Sequence, residues 1–215
     1  MNVLICISSK TPNPLLFDCI SALYKIQITD NNNYKICVVD SDSDDLLLYD
    51  KIKIEFPNVD LLFVKNKNYE YGAYKYAHIA YPEHHIYICI QDNIIINKYI
   101  DLNVVNDNNV YCKHSYSGCF YDIETKQMGI DNLKNTELDP YFYSIIDTNF
   151  NLATLNIFIV NNKIIKEMYR ILTSPPTNKC GSRTYERIFG LYFILKNINT
   201  INIDEYVSKY YGGRQ

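Results

Sequence analysis

A mostly parallel α/β sheet flanked by helices is the fold this sequence predicts, and three observations carry it. Short apolar runs recur through the first hundred residues, helical-period stretches separate them, and polar clusters close most of them. Residues 3–8 form a continuous apolar run, as a strand buried on both faces requires. Residues 14–26 follow with Leu15, Leu16, Cys19, Ile20, Leu23 and Tyr24 at helical spacing behind Pro12 and Pro14. A loop at 30–33 leads to a second strand over 34–39, closed by Asp40-Ser41-Asp42-Ser43-Asp44-Asp45. A weak helix over 46–55 stops before Pro57, and 60–64 reads as a third strand. Residues 71–81 suit a helix, with Gly72 at its start and Pro82 beyond its end. The fourth strand, 86–90, terminates in Gln91-Asp92-Asn93.

The second half is less regular. Residues 110–121 and 151–160 read as strands, 162–172 as an amphipathic helix and 184–195 as another, with a loop at 174–179. No unit is long enough for a second core. The expectation is one domain over 1–215, with a ligand-binding half at 1–100 and a second half at 101–215. In such sheets ligands bind beyond the carboxyl ends of the strands, where Ser8-Ser9-Lys10, Asp40 to Asp45 and Gln91 to Asn93 lie.

Composition excludes several classes. With 47% hydrophobic and 21% charged residues the 215-residue chain is neither disordered nor fibrous. A net charge of -3 offers no basic field for nucleic acid. No apolar run approaches the ~18 residues of a membrane span. The first residues, Met1 to Ile7, have no basic leader and read as a strand, not a signal peptide. Seven cysteines are an odd number; Cys6, Cys37 and Cys89 sit inside strand-like runs, and Cys112 and Cys119 lack the second close pair of a zinc site. A reducing, cytoplasmic location is expected. Twenty-one Tyr and no Trp fit either AT-rich codon usage or a Tyr-rich sugar-binding surface.

The order of the polar signals adds a family resemblance. A strand runs into Val39-Asp40-Ser41-Asp42-Ser43, an Asn-bearing loop Lys65-Asn66-Lys67-Asn68 precedes Tyr71-Gly72-Ala73-Tyr74-Lys75, and a further strand ends in Gln91-Asp92-Asn93. Over residues 1–100 this resembles the nucleotide-sugar half of GT-A glycosyltransferases, particularly the family-2-like group. The resemblance implies a GT-A-like single domain with a Rossmann-like N-terminal sheet. It implies a UDP- or GDP-sugar donor, a glycan or glycoprotein acceptor, and Mn²⁺ or Mg²⁺ on an Asp-x-Asp motif.

Carried over residue by residue, Ser8 and Asp40 would hold the nucleoside with Asp42 nearby, since an ionised Asp accepts hydrogen bonds from ribose or base. Gly72 would allow close backbone approach, and Lys75 would reach base or phosphate. Gln91 and Asn93 occupy the two acidic positions of the motif and Asp92 the middle one. This departure leaves two readings: Asp92, with Asn93, is the metal ligand in a shifted register, or metal dependence is weakened. Glu186, in Thr184-Tyr185-Glu186-Arg187, is expected in the first turn of an apolar helix as acceptor-binding group or catalytic base, beside Asp92 as the other catalytic carboxylate. Its bland role there is a capping-box or dipole partner. Asp122, Glu137 and Asp139 are weaker acidic candidates. His114 is a candidate late metal ligand, His84 and His85 read as solvated, and the tail from Lys209 to Gln215 could close over a diphosphate or simply fray.

Two other functions compete. A nucleotidyltransferase would need a Gly-rich phosphate loop after the first strand, and Ser8-Ser9-Lys10-Thr11-Pro12 has no glycine. A non-catalytic glycan-binding or assembly domain derived from a transferase fits the altered Asp-x-Asp. No hydrolase triad has a local signature.

Overall fold

Apolar runs without a polar face can be buried only in the middle of a layered structure, and this is where the computed structural model places them. It describes residues 1–27, 31–115 and 122–210. β1 (Asn2–Ser9) is central, pairing in parallel with β2 (Asn33–Asp40) on one side and β4 (Ile86–Gln91) on the other. β3 (Asp60–Phe63) extends β2 in parallel. Beyond β4 the sheet continues through β7 (Phe158–Asn161), β6 (Asn109–Cys112) and β8 (Asn199–Asn202), giving the order β3-β2-β1-β4-β7-β6-β8. β7 alone runs against the rest, because it is antiparallel to both β4 and β6, whereas β6 and β8 are parallel. One sheet therefore joins the two halves of the chain. A separate antiparallel ribbon pairs β5 (Ile94–Ile96) with β9 (Val207–Lys209).

The first-half helices follow the sequence pattern. α1 (Leu15–Gln27), α2 (Leu47–Glu55) and α3 (Tyr69–Ala80) each fall between the expected strands. α1 places Leu16, Cys19, Ile20 and Leu23 in a core with Ile5, Ile7, Ile88 and Ile90. α3 covers the opposite face, where Tyr71, Tyr74 and Ala77 pack with Leu4, Cys6 and Cys89. Alternate β1 residues thus enter opposite cores, as a two-sided strand demands.

The second half corrects several expectations. The strand expected at 151–160 contracts to β7, because residues Thr154–Asn156 form a 3-10 turn in which Leu155 (φ 60°) and Asn156 (φ 55°) are left-handed. The strand expected at 110–121 is described only as β6; 116–121, with Cys119, lie outside the described residues, as do 28–30 of the first loop and 211–215 of the tail. α4 (Ile123–Leu133) and α5 (Asp139–Ile145) were not foreseen. α6 (Asn162–Ile171) matches its amphipathic pattern, capped by Asn161, whose Oδ1 accepts from the Ile164 N–H at 2.9 Å. α7 (Lys179–Leu195) begins five residues earlier than expected, because Asn178 Oδ1 accepts from the Gly181 N–H at 2.7 Å.

The tyrosines are largely core material: Tyr49, Tyr71, Tyr74, Tyr87, Tyr185 and Tyr192 are fully buried. Tyr71 meets Tyr185 at 4.7 Å and Tyr169 at 5.2 Å between ring centroids. Tyr76 is exposed. Cys6, Cys19, Cys37, Cys89, Cys112 and Cys180 are free, and burial pushes the thiols of Cys6, Cys37 and Cys112 up, away from nucleophilic use. Among the described residues no helix is long and apolar enough to cross a membrane.

Three histidines make stability pH-dependent. His84, expected to be solvated, is half-buried, while His85 is exposed and its Nδ1 accepts from the Asn2 N–H at 3.0 Å. Burial lowers the pKa of His78, with Lys166 adding to the effect, and burial likewise lowers His84 and His114. Each is therefore protonated more readily in the unfolded chain. Their contribution is present above the unfolded value of about 6.5 and is lost as pH falls below it. The midpoint of thermal unfolding should drop between about pH 7 and pH 5, and His78→Phe should shallow that drop. A flat profile over this range would refute the assignment.

Candidate functional site

Parallel strands ending together present their last residues on one edge, and here β1 sets Ser9 opposite Asp40 of β2 and Ser8 opposite Gln91 of β4. Ser9 Oγ donates to Asp92 Oδ2 at 2.9 Å, and the Asp92 N–H donates to the Ser8 carbonyl at 3.1 Å. Asp92 is only 2% exposed and Ser9 1%. Ser8 is half-buried on the same edge, but Ser9 is the serine that holds Asp92.

Asp40 lies 4% exposed at the end of β2. Its Oδ1 accepts from Tyr49 OH at 2.8 Å and from Ser43 Oγ, and its Oδ2 accepts from the Ser43 N–H at 3.0 Å. Asp40 therefore fixes the turn over 41–43. Asp42 within that turn is left-handed (φ 64°), partly exposed, and 3.6 Å from Lys67 Nζ.

Gly72 has a specific steric reason. A Cβ there would stand 1.9 Å from Asn66 Oδ1. Asn66 is 2% exposed: its Nδ2 donates to Tyr69 O at 2.7 Å and Ser41 Oγ at 3.1 Å, and its Oδ1 accepts from the Asn68 N–H at 2.8 Å. Asn66 thus ties the β2 turn to the start of α3. Gly72→Ala should cost about 2 kcal/mol, from overpacking and the displaced Asn66 bonds. A urea midpoint unchanged from the parent would show that Asn66 can move aside freely. Lys75, one turn on, holds its Nζ 5.8 Å from the Tyr71 ring centroid.

A further polar network centres on Glu70, which the sequence pattern did not single out. Gln91 Nε2 donates to Glu70 Oε1 at 2.8 Å and to the Leu155 carbonyl at 3.1 Å. Glu70 Oε2 accepts from Ser182 Oγ at 3.1 Å and from Asn156 Nδ2 at 3.4 Å. Four segments meet there: the start of α3, the end of β4, the left-handed turn 154–156 and the first turn of α7. An acidic residue at a helix start ahead of Gly72 was the available signal.

Glu186 joins this network from α7. It stands in the third turn of the helix and not in the first, because Asn178 starts the helix earlier. The capping-box role is thereby removed. Its main-chain carbonyl accepts from the Ala153 N–H at 2.8 Å. Burial raises its carboxyl above the ordinary 4.5; the Leu155 backbone N–H and Arg187 oppose this, and Glu70 adds a smaller upward push by like charge. The Leu155 main chain therefore links Gln91, through its carbonyl, to the Glu186 carboxyl, through its N–H, with Asp92 next to Gln91 in sequence. Ser8, Asp40, Asp42 and Gly72 lie on the adjoining β1–β2–α3 side.

The remaining acidic and histidine candidates have local roles. Asp122 caps α4, accepting from the Thr125 N–H at 2.7 Å. Glu137 pairs with Arg170 and Lys196, and Asp139 Oδ2 accepts from the Asn135 N–H. His114 Nε2 is 3.0 Å from Thr200 Oγ1.

For a hard divalent cation the relevant donors are Asp92 and Asn93. Asn93 Oδ1 is buried without a hydrogen-bond partner, the kind of oxygen a cation accepts. Among the described residues no three His, Cys, Asp or Glu side chains converge as a closed cage. One carboxylate and one amide oxygen suit an ion that takes its other ligands from water and phosphate.

With this geometry in place, one solved structure can be compared. S. aureus TarS, a glycosyltransferase, superposes with a TM-score of 0.50 over 94% of this chain, at 14% identity. The fold is glycosyltransferase-like. At this identity the likeness concerns the fold, and the chain spans 35% of the length of TarS. No family model matches the sequence. No curated protein matches it either. In parallel α/β sheets the edge at the carboxyl ends of strands such as β1, β2 and β4 is where ligands bind.

Proposed function

We propose that this chain transfers a sugar from a nucleotide-sugar donor to a hydroxyl of a glycan or glycoprotein acceptor. The observation that carries it is the convergence of Gln91, Glu70, Ser182 and Glu186 beyond the carboxyl end of β4, in a sheet of glycosyltransferase-like fold. In this reading the edge of Ser8, Asp40 and Asp42 receives the nucleoside, with Gly72 permitting close approach and Lys75 near the phosphates. Asp92 and Asn93 would hold Mn²⁺ or Mg²⁺, which when bound neutralises the donor diphosphate. Glu186 takes the proton of the attacking hydroxyl. A carboxylate raised by burial is a stronger base than an ordinary one.

The test is a thermal-shift and calorimetric panel of UDP- and GDP-sugars with and without Mn²⁺. Stabilisation by one nucleotide family, strengthened by the ion, is expected. Silence across the whole panel would sink the reading. The second reading, a glycan-binding domain without catalysis, draws on Gln91 and Asn93 standing where acidic residues are expected. It predicts glycan binding with transfer absent, and no effect of Asp92→Ala.

A further inference from the structure

A cleft of about 490 Å³ opens at the amino end of β4, between the last turn of α3, the 82–85 turn and the first turns of α6. Ile86 pairs there with Asn161, so the cleft stands about 17 Å from Gln91 along a strand that rises ~3.3 Å per residue. Its size falls within the roughly 300–1,000 Å³ of small-molecule sites. The transfer chemistry proposed above makes no use of it. Hydrogen bonds between its walls give it a fixed shape. Asn162 Nδ2 donates to the His84 carbonyl at 2.8 Å and to Tyr87 OH at 3.0 Å, and the Asn162 N–H donates to the His85 carbonyl at 3.0 Å. The rings of His78 and His84 lie against Tyr87, with centroids 5.3 and 6.4 Å away.

What lines this frame is mostly donor. His78, His84 and His85 come from one side and Lys163 and Lys166 from α6 on the other, against a single carboxylate, Glu83. The Asn2 N–H donates to His85 Nδ1, which keeps that nitrogen bare and leaves the ring's own N–H on Nε2. Lys163 Nζ is 2.5 Å from Asp107, which stands outside the lining, whereas no carboxylate pairs with Lys166 among the described residues. Asn161, Asn162 and Lys163 also bring the amino end of α6, with its positive pole, to the cleft. Two lysine charges, an imidazole N–H and a helix amino end suit a dianion whose several oxygens all accept. We propose that this cleft binds a phosphomonoester of a small polar molecule, its phosphate held by Lys166, Lys163 and His85 Nε2 and its neutral remainder lying along the His78 and His84 wall. The cleft is larger than a phosphate ion needs, which favours the ester over the free ion. This site stands apart from the transferase reading.

Imidazole resonances of the full chain report on this directly. Its four histidines are His78, His84, His85 and His114, and the last lies against Thr200 of β8, outside the cleft. Ring shifts are followed by NMR as glucose 6-phosphate, inorganic phosphate or glucose is added. Glucose 6-phosphate should move the three cleft histidines along one saturable curve, with a dissociation constant of about 1 mM or below, while His114 stays still. Inorganic phosphate should bind at least about threefold more weakly, and glucose should move nothing. Lys166→Gln, on the exposed face of α6, should weaken the ester about tenfold, and Glu83→Gln should tighten it about twofold. Lys51→Gln in α2 makes the same change in net charge and should leave affinity within about 1.5-fold. No saturable shift up to about 20 mM ester, a parallel response of His114, or equal binding of glucose overturns the proposal. So does unchanged affinity in Lys166→Gln, and inorganic phosphate binding as tightly as the ester removes the phosphomonoester assignment. Each of these failures leaves the transferase reading to its own nucleotide-sugar panel.

Discussion

Glu186→Gln should lower the rate of sugar transfer by about two to four orders of magnitude while leaving nucleotide affinity unchanged. The reason is that the substitution preserves everything about this side chain except its basicity. The Leu155 N–H can still find an oxygen acceptor, and the Ala153 N–H bond is to the main chain of residue 186. Stability should hold or rise slightly, since a carboxyl raised by burial is one whose charged form the fold disfavours. In linkage terms, its folded pKa lies above the unfolded one, so ionised Glu186 destabilises the native state once pH rises through the folded value. The parent rate should fall on the acid side as pH drops through the Glu186 pKa, above the ordinary 4.5. That limb should vanish from the residual rate of the variant. A Glu186→Gln protein with near-parental turnover would remove Glu186 from the chemistry.

The contrast between Glu186 and Glu70 shows what a sequence makes legible. The first-half elements are readable because each strand is a continuous apolar run ended by polar residues a few positions later, so the signal is local. Asp40, Gln91 and Asp92 inherit that clarity as strand-end residues. Glu70 acts through contacts to Asn156 and Ser182, 86 and 112 positions away, and no local pattern encodes those. β5 and β9 are three-residue strands whose partners lie more than a hundred residues off, so their propensity alone says little. α4, with Glu124, Lys126, Gln127, Asp131 and Asn132 among eleven residues, has too little apolar face to announce itself. The error at α7 has a different origin. Cys180-Gly181-Ser182 has poor helix propensity, and the Asn178 cap together with packing against α4 overrides it. The displaced helix start moved Glu186 from a capping position into the middle of a buried face.

Gly190→Ala should be clearly destabilising, and its effect should reach the site. An alanine Cβ at this position would stand 2.4 Å from the Asn151 carbonyl oxygen, 3.1 Å from Leu152 Cα and 3.3 Å from Ala153 N. All three are backbone atoms, so no side chain can swing away. Either α7 or the 151–153 segment must shift. One turn back along the helix, the Ala153 N–H bond to the Glu186 carbonyl holds the same two segments together. The shift would therefore strain that bond and move the left-handed pair Leu155 and Asn156, which supports Gln91 and Glu70. Overpacking and one weakened hydrogen bond cost about 3 kcal/mol, against a helix-propensity gain of about 1 for Ala over Gly. The net loss of about 2 kcal/mol corresponds to a thermal midpoint lower by about 4–8 °C for a chain of this size. Gly181→Ala supplies the internal control. Its Cβ would meet Pro176 Cβ at 3.1 Å and Met128 Cε at 3.2 Å, and the flexible Met128 can yield. That variant should stay within about 1 kcal/mol of the parent, the propensity gain offsetting a small repacking cost. Equal midpoints for the two alanine variants would show that α7 is not held rigidly against the 151–156 segment. The position of Glu186 relative to Glu70 would then not depend on that contact.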